Sequence, residues 1–230
     1  MGLYVETLIR ADIDEIWRAT QDPGRHQRWD LRFTRIDYAP GDGVAVRFRY
    51  ATCLLPGVVV TGTGITLGER RRPDGTRTSA LRFASPHRLS PIREGAGYWR
   101  YVPTGAGVRF LTGYDYRPGG GWIGAGVDRL ARPLLGWATA WSFDRLRLWL
   151  ERGINPGQAL RHALTEVTVR VGVTAVALVL APWWLTAMVA TAAILLPPAP
   201  GTPAARRCRR RPPDRHSALP PSTLDRLANG

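Results

Sequence analysis

Between Arg170 and Arg206 the chain carries no charged residue, and Val171–Leu196 is a run of 26 almost wholly apolar positions. As one helix it would extend about 39 Å, enough to cross a hydrocarbon core of about 30 Å. A buried helix of a soluble domain is the competing reading, but uncharged runs of this length are uncommon there. The run therefore divides the chain into a domain before it, a membrane-length segment, and a tail.

Pro182-Trp183-Trp184 interrupts the run near its middle, and proline cannot continue a helix. Two arrangements follow: a single span, or a re-entrant hairpin with arms of residues 171–180 and 185–196. With the first domain in the cytoplasm, a single span places the later arginines outside, against the positive-inside rule. A hairpin keeps both flanks on one side but exposes turn backbone to lipid. The balance falls slightly on the span.

Charge follows the same division. All 32 basic residues are Arg, and the net charge is +14. Residues 1–152 carry +8, residues 153–196 carry +1 and residues 197–230 carry +5. The tail is rich in Pro and Arg without apolar periodicity, which reads as disorder. Its cluster Arg206, Arg207, Arg209, Arg210 and Arg211 suits anionic lipid or nucleic acid. GC-rich coding also yields Arg without Lys, so the Arg count weighs little for nucleic acid as a partner. Two cysteines, Cys53 and Cys208, exclude a disulfide framework, and the four scattered His give no zinc set. No metal or cofactor is expected, and no secretory signal stands at Met1. The expected location is the cell membrane, with the N-terminal domain cytoplasmic.

Residues 1–152 read as strand, two short helices, six strands and a long helix. Leu3, Val5, Thr7 and Ile9 alternate with polar neighbours. Asp12 and Asp22-Pro23 open short helices. Val44, Val46, Phe48 and Tyr50 alternate with Arg47 and Arg49, after a Gly41-Asp42-Gly43 turn. Further strands fall at 58–67, 79–83, 98–102 and 108–116. From Trp122 to Arg152 the period becomes helical. Leu130, Leu134, Trp137, Trp141 and Leu148 form a stripe that needs a large surface, and the sheet is the one available. Pro133 lies inside it. Residues 153–170 read as a linker or juxtamembrane helix.

This is an α+β chain whose curved antiparallel sheet grips a long C-terminal helix. In element order, and in the segments "ETLIRADIDEIWRATQDPGRHQRWD", "GAGYWRYVPTGAGVRFLTGYDYRPGG" and "RPLLGWATAWSFDRLRLWLERG", residues 1–152 resemble the SRPBCC superfamily (START-like, helix-grip). The resemblance implies a deep apolar cavity between sheet and helix. It also implies a hydrophobic small molecule or membrane lipid as partner, as in polyketide cyclases and lipid-transfer domains.

No nucleophile elbow, phosphate loop or HExxH occurs, so the catalytic residues stay unassigned. The aromatics Phe48, Tyr50, Phe83, Phe110, Tyr114, Trp137 and Trp141 are the candidates for ligand contact. His26 reads more readily as a surface or helix-ending residue than as an acid–base group. Trp29 is expected in packing, and Gly62-Thr63-Gly64 at a bulge or bend. Asp115 is expected to face outward and to pair with Arg100 or Arg109. A membrane-tethered binder of an apolar ligand, without catalysis, fits this set best. An aromatase/cyclase-like enzyme using Tyr114, Arg100 or His26 is the alternative.

Overall fold

The computed structural model describes residues 2–39, 45–55, 57–119, 124–214, 217, 219–221 and 224. In chain order the elements are β1 (Leu3–Ile9), α1 (Ile13–Gln21), α2 (Pro23–Trp29), β2 (Arg35–Tyr38), β3 (Ala45–Leu55), β4 (Val58–Arg71), β5 (Arg77–Ala84), β6 (Ile92–Thr104), β7 (Gly107–Pro118), α3 (Gly124–Arg152), α4 (Pro156–Leu180) and α5 (Trp183–Leu195). The Gly41-Asp42-Gly43 turn, Val44 and Trp122 lie outside the described residues.

α1 and α2 begin where side chains supply the missing acceptors. Asp12 accepts from the Asp14 and Glu15 amides, and Asp22 from the Arg25 amide with Pro23 at the first helical position. The strands form one antiparallel sheet in the order β1-β7-β6-β5-β4-β3-β2. This is the helix-grip arrangement, with α3 packed across one half of the inner face. The core gathers Val5, Ile9, Ile16, Trp29, Trp99, Tyr101, Phe110, Phe143 and Leu146. Trp29 is packed as expected, its indole donating to the Ala19 carbonyl at 2.9 Å.

The α3 stripe behaves differently from the sequence reading. The sheet is met by another face: Thr139 reaches Tyr114, and Phe143 stacks on Phe110 with centroids 4.4 Å apart. The C-terminal half of the expected stripe is covered by the start of α4 and by a later segment of chain. Its N-terminal half has no cover among the described residues, and Leu130, Leu134 and Trp137 are exposed.

Composition reads residues 197–230 as disordered, but within that stretch the described residues 202–209, 217, 219 and 224 pack against the domain. A short 3-10 turn, Ala205–Arg207, packs along α3, and Ala204, Ala205 and Cys208 are buried. The buried Asp144 carboxylate accepts from the Ala204 amide at 2.8 Å and pairs with Arg207 at 3.0 Å and Arg147 at 2.7 Å. Arg209 and Glu6 exchange two backbone hydrogen bonds of 2.8 Å, capping the free edge of β1. Composition suggests disorder because it counts Pro and Arg. It does not register that small side chains fit a groove, or that a buried carboxylate waits for one arginine.

The tail also explains why both faces of β1 are covered. Tyr4, Tyr98 and Leu111 cluster on the outer face with Leu224 against them. Tyr98 donates to the Ser217 carbonyl at 3.2 Å, and Arg100 to the Leu219 carbonyl at 2.8 Å. Arg109 pairs with Glu6 at 2.9 Å, not with Asp115. Burial alone would raise the Glu6 carboxyl, but Arg109 and the Tyr4 hydroxyl outweigh it and hold it below its usual range.

The expected apolar run is divided. α4 begins at Pro156 and is long and apolar enough to cross a membrane, while α5 is shorter. The break falls at Ala181-Pro182, where Ala181 is extended (φ −109°, ψ 156°).

The docked tail makes a chemical prediction. Cys53 is exposed and Cys208 buried, its thiol pushed up to about 12 by burial and the Asp144 charge. With Ellman's reagent, one thiol reacts promptly in the native chain and the second only in denaturant. Two promptly reacting thiols would contradict the docking of Cys208.

Candidate functional site

Beyond the strip covered by α3, the inner face of β3–β7 remains open and bounds a cavity of about 150 Å³. Apolar cavities of that size hold a single small ring. Its wall is mostly aromatic and aliphatic. Phe48, Tyr50, Phe83 and Tyr114 line it, joined by Phe33, Ile36, Leu81 and Leu135. Three of the other candidate residues stand elsewhere. Phe110 is fully buried in the core against Phe143, Trp141 is buried with Arg145 above its ring, and Trp137 is exposed on α3. The cause is the rotation of α3 described above. Its sheet-facing residues are Thr139 and Phe143, and its contribution to the cavity is Leu135.

Glycines shape the wall. Gly62 and Gly64 lie opposite Tyr50 and Phe48 in the β3–β4 register, and Gly95 lies opposite Phe83 between β5 and β6. A side chain at Gly95 would sit 2.6 Å from the Phe83 ring, and one at Gly62 or Gly64 would overlap the facing ring outright. The Gly62-Thr63-Gly64 pattern thus marks no bulge. The register runs through it, and the missing side chains let aromatic rings lie against the sheet and leave room above.

The polar groups come from the last turn of α2, which carries His26, and from the segment just after it, which carries Asp30 and Arg32. Asp30 is fully buried and accepts two bonds from the Arg32 guanidinium, at 2.9 and 2.7 Å, in a bidentate pair. His26 Nε2 lies 3.0 Å from the same carboxylate. Burial opposes the charge on Asp30, but Arg32 and His26 outweigh it and hold the carboxyl well below its usual range. Burial opposes the Arg32 charge too, and Asp30 restores it. For His26, burial is the largest influence and the nearby Arg32 adds to it. Together they exceed the pull of Asp30, so its pKa is lowered and the ring is neutral at pH 7. An ionised carboxylate only accepts, so Nε2 carries the hydrogen and Nδ1 is the free acceptor. The imidazole is stacked on Trp29 at 5.0 Å and meets Phe33 and Trp99 edge-on. His26 lies in the last turn of α2, one of the two placements expected, but it is buried on the cavity wall and not at the surface.

The Arg32 guanidinium lies 5.7 Å from the Tyr114 ring centroid, and the Tyr114 hydroxyl lies 3.1 Å from Thr139 Oγ1. A second polar row includes Gln21, Ser79 and Thr66, with Ser79 Oγ donating to Gln21 Oε1 at 3.4 Å. Arg100, the other polar candidate, is on the outer face of the sheet. Asp115 is exposed as expected. Among the described residues no group of three or more His, Cys, Asp or Glu is placed to hold a metal ion.

Sequence reasoning missed Asp30 and Arg32. The available signal was their spacing: positions i and i+2 after a helix end, where an aspartate accepts from the backbone two residues on, as Asp30 does from the Arg32 amide at 3.0 Å.

Two predictions follow from this cluster. A group whose folded pKa is depressed contributes stability above its unfolded pKa and loses it as pH falls. Urea unfolding should therefore show stability declining from about pH 6.5 downward, by up to about 1.4 kcal/mol per pH unit for His26. His26→Phe should flatten that slope, and an unchanged slope would mean another group is responsible. Asp30→Asn should destabilise the domain by about 3–5 kcal/mol in the same assay, because Arg32 is left buried without its counter-charge.

The comparisons with known proteins agree with this architecture. The family model for polyketide cyclase / dehydrase and lipid transport matches residues 3–151. The chain is 45% identical over 168 residues to the uncharacterized membrane protein YndG of Bacillus subtilis (strain 168), covering 72% of this chain and 63% of that protein. The chain thus spans less than two thirds of that relative's length. Among solved structures, the STAR-related lipid transfer protein of Xanthomonas axonopodis superposes with a TM-score of 0.51 at 16% identity, over 65% of this chain and 85% of that one. The di-domain ARO/CYC StfQ from the steffimycin biosynthetic pathway gives 0.52 at 12% identity, over 66% and 50%. At these identities the likeness is one of fold.

Proposed function

We propose a function from one premise: the chain belongs to the polyketide cyclase/dehydrase and lipid transport family. It holds an apolar molecule of lipid, quinone or polyketide-like type in the cavity between sheet and α3, without needing to transform it. It works at a membrane, with the N-terminal domain on the cytoplasmic side. The observation that carries this reading is the composition of the cavity wall. Aromatic rings surround a single buried guanidinium, fixed by Asp30 and adjoining Tyr114. Such a wall suits an apolar body with one carbonyl, phenol or carboxylate head, since a fixed donor orients the ligand and the rings supply the burial. The cavity volume fits a ring or a short acyl segment, and a larger ligand requires the wall to yield.

Native mass spectrometry of the chain purified from its own membranes should reveal a co-purifying apolar compound. Gly64→Val forces Phe48 into the cavity and should lower the bound fraction at least tenfold while circular dichroism stays native. Undiminished occupancy would place the ligand elsewhere.

One observation favours an aromatase/cyclase-like enzyme as a second reading. A neutral His26, oriented by Asp30, lies on the cavity wall with Tyr114. Under that reading Tyr114→Phe abolishes turnover of a polyketide substrate and spares its binding.

A further inference from the structure

The chain leaves the domain at Pro156 and returns to it at Ala204. At the first point Arg145 donates to the Pro156 carbonyl at 2.9 Å, and Pro156 and Ala159 are buried. At the second, Ala205 and Cys208 join the same core cluster as Val5 and Phe143, and Arg209 bridges to β1. An odd number of membrane crossings between these points would put them on opposite faces. Both touch one domain, so a single span is incompatible with this packing.

Two full crossings fail on length. α5 has 13 residues and extends about 20 Å, against a core of about 30 Å. The uncharged part of α4, residues 171–180, extends about 15 Å, which is the depth of one leaflet. The arms run back along each other. Arg170, paired with Glu166 one turn earlier, donates to the carbonyls of Ala193, Leu196 and Pro197 at the end of α5, and Arg206 donates to the Leu196 carbonyl at 3.0 Å. The carbonyls that end α5 are thereby satisfied by arginines at the base. At the far end Pro182 has no amide hydrogen to strand, and the Thr186 hydroxyl donates to the Ala177 carbonyl at 2.9 Å.

Among the described residues nothing in the domain covers these arms. α5 buries no residue, and Val171, Val176, Leu180, Trp183, Met188 and Ile194 are exposed around them. A helix pair apolar on every side needs an apolar surround. From residue 153 to residue 213 the acid count is one, Glu166, against seven arginines, all outside the uncharged run. That charge sign matches an anionic headgroup layer.

We propose that α4 and α5 form a re-entrant hairpin that enters one leaflet of an anionic bilayer and leaves on the same side, with Pro182 and Trp183 deepest. The proposal rests on the membrane association argued above and is independent of the cavity's occupant. It keeps every arginine flank on one face, as the positive-inside rule requires.

The test uses the full chain added to preformed vesicles of phosphatidylcholine and phosphatidylglycerol. Flotation should be at least fivefold greater than on phosphatidylcholine alone. In a Cys53→Ser background, where buried Cys208 is silent, Arg161→Cys and Arg210→Cys are labelled with an impermeant maleimide. Both should label fully from outside. Protection of Arg210→Cys until detergent is added would overturn the hairpin while leaving membrane association intact. Lipids brominated near the chain ends should quench Trp fluorescence, and the double variant Trp183→Phe/Trp184→Phe should lose most of that quenching. Absence of flotation, or a dimer that stays in solution, would overturn membrane association and the hairpin together.

Discussion

A seven-stranded sheet has more inner surface than one helix can cover, and this mismatch organises the molecule. α3 lies over β1 and β7, where Thr139 and Phe143 meet Tyr114 and Phe110. α3 does not reach over β3–β5, where α1 touches β5 through Gln21 and Asp14. The aromatic rings there lie low because glycines stand opposite them, so the space stays open rather than filling with side chains. The cavity follows from the architecture and from the glycine-to-aromatic pairings at Gly62, Gly64 and Gly95 across the strands.

The open half is closed from the side by the end of α2 and the segment after it, and that closure is ionic. The Asp30 side chain has no solvent-exposed surface, and Arg32 and His26 supply the side-chain bonds its oxygens receive. Such a pair contributes less to stability than its attraction suggests, because two groups had to leave water. Its consequence is positional. It holds a guanidinium and a neutral imidazole at fixed places in a mostly apolar wall, which is how a cavity acquires orientation as well as capacity.

The outer side of the domain depends on chain that lies 50 residues beyond α3. The return of residues 204–209 to α3 and β1 caps an open sheet edge, buries Asp144 with Arg207, and ties the base of the α4–α5 pair to the domain. Fold and membrane topology are thereby coupled. Under the proposed hairpin, the contacts that finish the core also return the chain to the side of the bilayer it left.

The sequence by itself determined much of this. Alternation set the inward face of β3, with Phe48 and Tyr50 against Arg47 and Arg49. Asp12 and Asp22 marked the helix starts, and the change of period located α3, because these signals are local and repeat at 2 or 3.6 residues. Four of seven candidate aromatics, Phe48, Tyr50, Phe83 and Tyr114, reached the cavity for that reason. The rest required the tertiary structure. Periodicity shows that α3 has an apolar stripe but not which surface covers it, so Phe110, Trp137 and Trp141 fell elsewhere. Asp30 and Arg32 have meaning only once burial removes water from between them. The tail's order depends on a groove built from residues more than 60 positions away, and no local property of an Arg/Pro-rich segment encodes the shape of its partner.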